Sequence, residues 1–471
     1  MLDTLIALLI RVAPLAAGLV AGLFLLALAT QAYRDDGTLN VSSMIRALLI
    51  VALATTIAFP REFFGVGVNS VALLMAFILF GLSAPSQGLN VRLLGPYLIF
   101  VVPFIMATVL HIVGGGGFAE ASALRALAIG LLGSFLAANY FNSARDLRPL
   151  FLILLPVLVF GALLSIAQAI TGRNYLVGDL YNPSGQDFVV AFGFGSNNVL
   201  HAMSMMAGLA ISIFFYLTAK QWKWLFLTSA GLMIIGLILS SAQSAWGGGA
   251  VMIAVVALLT GGGAATRRLL LLVAVIGISV FLVFRLESSD TFSPLASIVR
   301  ERANLSSSAA APSFGESRQN IFGGSLEGRL RYWEEARRLF GTSPVWGLGF
   351  SEFRTQSIYK AETHNLFLTW ATETGALGLS GFLLMFWIVF VRAASVAKSL
   401  DPDSRLVLHL FVGLLAGYLF VGLFWHLEVN RLFWLSFGLL GGMTGSRLVG
   451  HRTVDTPFGP QASGTFFGER A

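Results

Sequence analysis

Apolar runs of about twenty residues recur along almost the whole chain, and that recurrence limits the fold more than any single motif. Such a run matches the roughly 30 Å hydrocarbon core of a bilayer at about 1.5 Å of helical rise per residue, and backbone inside lipid must satisfy its own hydrogen bonds. The runs fall near Leu5–Ala29, Val41–Phe59, Val68–Leu82, Leu94–Val113, Ala121–Tyr140 and Leu150–Ile170, then Asn197–Thr218, Trp224–Leu239, Ala245–Thr260 and Leu269–Phe284. Three more follow at His364–Val391, Leu406–Phe424 and Leu432–Met443. They predict an all-α polytopic membrane protein with about thirteen transmembrane helices. Composition points the same way: 56% of the 471 residues are hydrophobic and 11% charged, where soluble domains carry about 25% charged residues.

Lysine and arginine orient the spans. Arg34, Arg46, Arg92, Arg145, Arg148, Lys220, Lys223, Arg267, Arg268, Arg392, Lys398, Arg405, Arg447 and Arg452 fall on one side of an alternating topology. The short loops opposite carry Arg61, Arg125, Arg173 and Arg431. The richer side is expected to be cytoplasmic, with the N-terminus outside and the tail inside. Both long loops, Thr171–Ser196 and the large one from Arg285 to Thr363, then lie outside. The expected organisation is a helix bundle over 1–284, a large periplasmic loop with interfacial helices over 285–363, C-terminal spans over 364–446 and a cytoplasmic tail over 447–471. The first run is too long for the apolar core of a cleavable signal. The net charge of +7 follows from basic cytoplasmic loops and gives no sign of nucleic-acid binding. No cysteine is present, which excludes disulfides, thiolate metal sites and cysteine nucleophiles. No repeat halves the chain, so an inverted-repeat transporter has no support.

The large loop holds most of the chemistry. Glu327–Phe340 reads as an amphipathic helix with Leu330, Trp333, Ala336 and Phe340 on one side, stopped by Gly341 and Pro344. It can lie along the membrane interface as an anchor, or turn Arg329, Arg331, Arg337 or Arg338 toward a cavity to grip phosphate. Arg354 and Lys360 would add to that positive field. His364-Asn365 opens the next span at the outer boundary; an imidazole there can take a proton from a hydroxyl, or simply bond a loop carbonyl. Glu373 lies deeper in the same span, where a structural role is favoured. Asn197 and His201 share a helix face that either meets sugar hydroxyls or packs against neighbouring helices. Ser240–Trp246 makes a tight outer turn. The glycine clusters lack the Lys-Ser/Thr of a phosphate loop and read as turns and close-packing points. Asp401-Pro402-Asp403 sits on the cytoplasmic side, and no carboxylate/histidine set has metal-ligand spacing, so no metal is expected.

Gly328-Arg329…Trp333, Pro344…Gly347-Leu348-Gly349…Phe353, His364-Asn365 and Glu373-x-Gly375-x-x-Gly378 together resemble the O-antigen ligase and polymerase superfamily. The Asn197-Asn198…His201 segment and the Ser240–Trp246 turn also look like that family. The resemblance implies a GT-C-like fold and an inverting, metal-independent glycosyltransferase needing no cofactor. Its donor would be a glycan on undecaprenyl diphosphate. Its acceptor would be a growing lipid-linked glycan for a polymerase, or lipid A-core for a ligase. It implies a site on the periplasmic face of the bacterial inner membrane, among membrane lipids, and admits a chain-length regulator as partner. Residue by residue, it implies His364 as base and Arg329 as diphosphate ligand. Arg331, Arg354, Asn365, Gln243, Asn198 and His201 join the substrate-binding set, with Glu373 and Trp333 in support. One departure matters: many ligases carry Ser-Arg-Gly where this chain has Ala242-Gln243-Ser244. Gln243 cannot supply that charge, which favours a polymerase of O-antigen or exopolysaccharide type and leaves Arg302, Arg354 or Arg431 as replacement cations. A flippase for lipid-linked glycans is the other functional class. It would carry polar groups through the depth of several spans, whereas here they gather at the outer rim.

Overall fold

The computed structural model describes residues 41–58, 68–87, 94–113, 121–171, 198–240, 242–261, 263, 326–428 and 430–445. The expected spans Leu5–Ala29 and Leu269–Phe284, with Asn197, Arg302 and the tail, lie outside those residues. Every regular element among the described residues is a helix. In chain order they are α1 (Val41–Ala58), α2 (Val68–Gln87), α3 (Leu94–Val113), α4 (Ala121–Tyr140), α5 (Ala144–Thr171), α6 (Asn198–Thr218), α7 (Lys223–Leu239) and α8 (Gln243–Thr260). After these come α9 (Leu326–Phe340), α10 (Phe353–Gln356), α11 (Leu366–Ala397), α12 (Pro402–Gly422) and α13 (Arg431–Gly445). Five of them, α4, α5, α6, α11 and α12, are long and apolar enough to cross a membrane, and shorter apolar helices surround them. The chain is a helical membrane protein.

Side-chain burial separates a lipid face from a packed interior. On α3, Leu98, Val102, Ile105, Met106 and Val109 are exposed, while Tyr97, Phe100, Phe104 and Ala107 are buried. Both sets are apolar and both follow helical spacing, as expected where the outer solvent is lipid rather than water. Deeper in the bundle, α6 is buried from His201 through Phe215 and α13 from Leu432 through Gly445. Small residues let these inner helices approach. A Cβ on Gly438 of α13 would lie 2.1 Å from the Ser134 carbonyl of α4, and one on Gly442 2.3 Å from the Phe141 carbonyl just past the end of α4, the close crossing that a Gly-x-x-x-Gly face permits. Around Trp370, the rings of Phe100, Phe382, Phe386 and Trp434 pack at 4.9–6.4 Å and lock α3, α11 and α13 together.

At the end of the bundle expected to be cytoplasmic, charged groups act as clamps. Arg46 pairs with Asp146 at 3.1 Å and donates to the Tyr140 carbonyl at 3.0 Å. Asp401 caps α12 by accepting from the Ser404 amide at 2.9 Å. The other end carries the polar site.

Candidate active site

The site is built on a break in α11. Gly375 has φ +69 and ψ −174, outside helical geometry, which should orphan backbone groups on both sides of it. The Pro344–Gly349 loop takes them up. The Leu348 and Gly349 amides donate to the Thr372 and Glu373 carbonyls at 2.8 and 2.9 Å, and the Ala376 and Leu377 amides donate to the Pro344 and Val345 carbonyls at 2.8 and 3.3 Å. The two backbones are so close that a Cβ on Gly375 would lie 2.1 Å from the Val345 oxygen, and one on Gly347 would lie 2.4 Å from the Glu373 carbonyl. Thus the Gly-x-Gly and Glu-x-Gly pieces are two halves of one clasp. The Glu373 carboxylate extends it, accepting from the Ser351 amide at 2.7 Å and the Phe353 amide at 3.4 Å.

The amphipathic helix α9 rests on this clasp. Ala336 and Leu339 share a small core with Leu348 and Phe353. The expected apolar side is corrected here: Leu330 is exposed, and the buried stripe is Tyr332, Glu335, Ala336 and Leu339. Glu335 tolerates burial because Arg338 donates to both its oxygens, at 2.7 and 2.8 Å, and the Ile358 amide donates at 3.2 Å. The Arg338 bonds hold its pKa below the ordinary carboxylate value against the opposing effect of burial. Trp333 instead turns toward Phe424, with ring centroids 6.3 Å apart.

His364 lies where α9, the start of α11 and the α12–α13 loop meet. Its backbone is left-handed, φ +50, a conformation that is uncommon outside glycine and costs of order 1–3 kcal/mol. The neighbours hold it there. Asn365 caps α11 by accepting from the Phe367 and Leu368 amides at 3.0 Å each, and its Nδ2 donates to the Leu423 carbonyl at 2.9 Å. Thr363 Oγ1 donates to the Asn365 carbonyl at 3.0 Å. The His364 ring is then enclosed by Trp425, His426 and Tyr332, with centroids at 5.1, 5.8 and 6.0 Å. Burial, with His426 and Arg329 nearby, drives its pKa down to about 4 although Glu362 opposes them. The imidazole is therefore neutral near pH 7, and its buried Nδ1 has no hydrogen-bond partner among the described residues.

Arg329 is the cation on one flank. Its guanidinium carbon lies 5.9 Å from the Phe424 ring centroid. Burial lowers its pKa, and its buried Nε, like Trp333 Nε1, has no hydrogen-bond partner among the described residues. On another flank, His426 Nδ1 is 2.8 Å from Glu362 Oε2. Burial disfavours charge on His426, but Glu362 and Glu428 outweigh it and raise its pKa. Burial likewise opposes charge on Glu362, yet His426, His364 and Arg354 lower its pKa. Burial raises that of Glu428. Beyond this pair opens a recess of about 430 Å³, whose charged lining is Arg125, Arg354, Arg431, Glu362, Glu373, Glu428 and His426.

The structure therefore gathers Arg329, Trp333, His364, Asn365, Arg354, Glu373 and Arg431 around one end of the bundle. Arg331 is on the exposed side of α9. Asn198 and His201 are engaged with other partners: Asn198 Nδ2 donates to the Ser240 carbonyl at 3.1 Å and pins the Ser240–Trp246 turn, while His201 is buried with Nε2 3.1 Å from Ser165 Oγ. Gln243 opens α8, and its side chain lies outside what is described. Sequence reasoning passed over Glu362, Trp425, His426 and Glu428 and used Arg125 only for topology. The available signal was Trp-His-Leu-Glu at the outer end of a span, polar groups in a chain otherwise sparing of charge.

These features describe a helical membrane protein with a neutral histidine and a half-buried arginine side by side at one end of its bundle, beside a polar recess. Residues 228–383 match the family model described as O-antigen ligase, which supports the resemblance to the O-antigen ligase and polymerase superfamily. That family implies an O-antigen ligase/polymerase-type, glycosyltransferase-like activity on lipid-linked glycan and an acceptor. No curated protein matches the chain. The matched stretch runs from α7 into α11, so it includes Arg329, His364 and Glu373 but not His426, Glu428, Arg431 or Arg125.

Proposed function

We propose that this protein is a metal-independent inverting glycosyltransferase of the bacterial inner membrane, acting at the periplasmic face. It takes a glycan from undecaprenyl diphosphate and adds it to a sugar hydroxyl of a growing lipid-linked chain, as a polymerase of O-antigen or exopolysaccharide type. In this reading the chain has about thirteen spans, and the segment 285–363 is the periplasmic loop that carries Arg329. The observation that carries the reading is the neighbourhood of Arg329 and His364: a cation with an unpartnered buried Nε beside an imidazole that is neutral near pH 7.

In one displacement, the acceptor oxygen attacks the anomeric carbon from the face opposite the diphosphate. The new C–O bond forms as the bond to the phosphate oxygen breaks, and that electron pair leaves on the diphosphate. Arg329 stabilises this charge, and His364 receives the hydroxyl proton. A pKa of about 4 makes His364 a weak base in the resting site. A bound diphosphate offsets the positive field of Arg329 and His426, and so favours proton uptake as the hydroxyl is attacked.

The second reading is a ligase acting on lipid A-core; the description of the matching family favours it, and the Ala242-Gln243-Ser244 turn favours the polymerase. The fate of lipid-linked glycan in a deletion strain separates them. A single repeat stranded on the lipid at the outer face means a polymerase; long chains on the lipid with none on lipid A-core mean a ligase. A unit held at the cytoplasmic face would overturn both in favour of a flippase.

A further inference from the structure

The recess has a different character from the Arg329 flank. Arg329 does not line it, whereas His426 and Glu362 do, and His364 neighbours both regions. Its walls carry three arginines and three glutamates, so an anion drawn to Arg125, Arg354 or Arg431 would also meet Glu362, Glu373 and Glu428. A mixture of guanidinium donors and carboxyl acceptors suits a ligand dense in hydroxyl groups, each of which both donates and accepts. Its volume falls in the roughly 300–1,000 Å³ range of small-molecule sites. A second observation points to a hydrogen-bond donor as occupant. Glu428 is buried against the recess, and its Oε2 has no hydrogen-bond partner among the described residues, an arrangement costly to keep unless a ligand or solvent completes it.

We infer that the recess lined by Arg125, Arg354, Arg431, Glu362 and Glu428 is the acceptor-sugar site, separate from the diphosphate site at Arg329. Glu428 takes a hydrogen bond from one sugar hydroxyl, and the His426–Glu362 pair forms the edge across which another hydroxyl reaches His364. This rests on the transferase reading and adds to it a division between an anion pole and a sugar pole. Glu428, Arg431, His426 and Arg125 all lie outside the residues matched by the family model.

The test is equilibrium binding to the full-length protein in detergent micelles with two probes. One is inorganic pyrophosphate; the other is the free oligosaccharide released by mild acid from the lipid-linked pool of the producing cells. Glu428→Gln and Arg431→Gln should each weaken oligosaccharide binding by roughly 10- to 100-fold, the loss expected for one hydrogen bond to a charged group, and leave pyrophosphate binding as it was. Arg329→Ala should do the reverse. Retained pyrophosphate binding also certifies that a recess variant is folded, and two variants guard against one that is not. The inference is overturned if wild-type protein binds no oligosaccharide, if neither recess variant weakens it, or if both lose pyrophosphate as well. Pyrophosphate binding indifferent to Arg329 would instead sink the donor assignment in the proposed function and leave the recess standing.

Discussion

Gly375→Ala adds one carbon atom at the point where α11 breaks, and the structure says how much that atom should cost. Position 375 has φ +69 with ψ −174, a combination essentially reserved for glycine, which by itself disfavours alanine by roughly 1–3 kcal/mol. The new Cβ would sit 2.1 Å from the Val345 oxygen, 2.3 Å from its carbon and 2.6 Å from the Trp346 nitrogen. These are backbone atoms, so no side chain can rotate away; the loop must lift off. Lifting it threatens the four cross-clasp hydrogen bonds made by Leu348, Gly349, Ala376 and Leu377, worth about 0.5–1.5 kcal/mol each. The expected loss is therefore roughly 3–9 kcal/mol, enough to unfold the clasp locally even if the bundle survives. The assay is reversible unfolding in mixed micelles followed by tryptophan fluorescence, with glycan transfer measured in parallel. Gly231→Ala is the matched control: it lies in α7 with nothing within 4 Å of the new carbon and should be neutral or stabilise by up to about 1 kcal/mol. Wild-type stability and transfer in Gly375→Ala would refute the account of the helix break.

Four further outcomes follow from the same geometry. His364 binds its proton in the folded protein only near pH 4, against 6.5 for an ordinary histidine. As pH falls the unfolded chain takes up that proton first, so His364 makes stability decline between about pH 6.5 and pH 4; histidine-selective NMR should find a neutral ring at pH 6. His426→Gln removes one of the groups that depress this pKa, and should move the titration upward; an unmoved midpoint would deny the coupling. Asn365→Ala removes the α11 cap and the tie to Leu423, for a loss of about 0.5–2 kcal/mol from the cap alone. Because the strained His364 backbone precedes it, turnover should fall more than unfolding free energy predicts, seen as kcat against chemical stability. Arg329→Lys should not restore transfer, since a point charge replaces a planar fork that can meet two phosphate oxygens; full activity with lysine would remove the bidentate role.

Several boundaries were legible in the sequence because lipid imposes them. Leu94–Val113 and Ala121–Tyr140 are the helices expected from apolar run length, and α9 begins one residue before its expected start, since turn signals at Gly341 and Pro344 are local. Arg329, His364 and the Glu-x-Gly pattern also stood out one by one. What the sequence could not supply was adjacency. Gly347 and Gly375 look like ordinary turn and helix glycines until the clasp brings their backbones together across 28 residues. The burial of Glu335 depends on bonds from Arg338 and Ile358, so hydrophobic periodicity caught Ala336 but missed the rotation of α9 that buries Glu335 and exposes Leu330. His426 and Glu428 are separated from His364 by the whole of α11 and α12. A chain of this composition determines by itself that it must form apolar helices with polar groups at their ends, because the bilayer prices each residue separately. Which polar groups share one pocket, and with what charge, was decided only by the packing of α9, α11 and the α12–α13 loop, because pKa and hydrogen-bond partners depend on distances between residues remote in the chain.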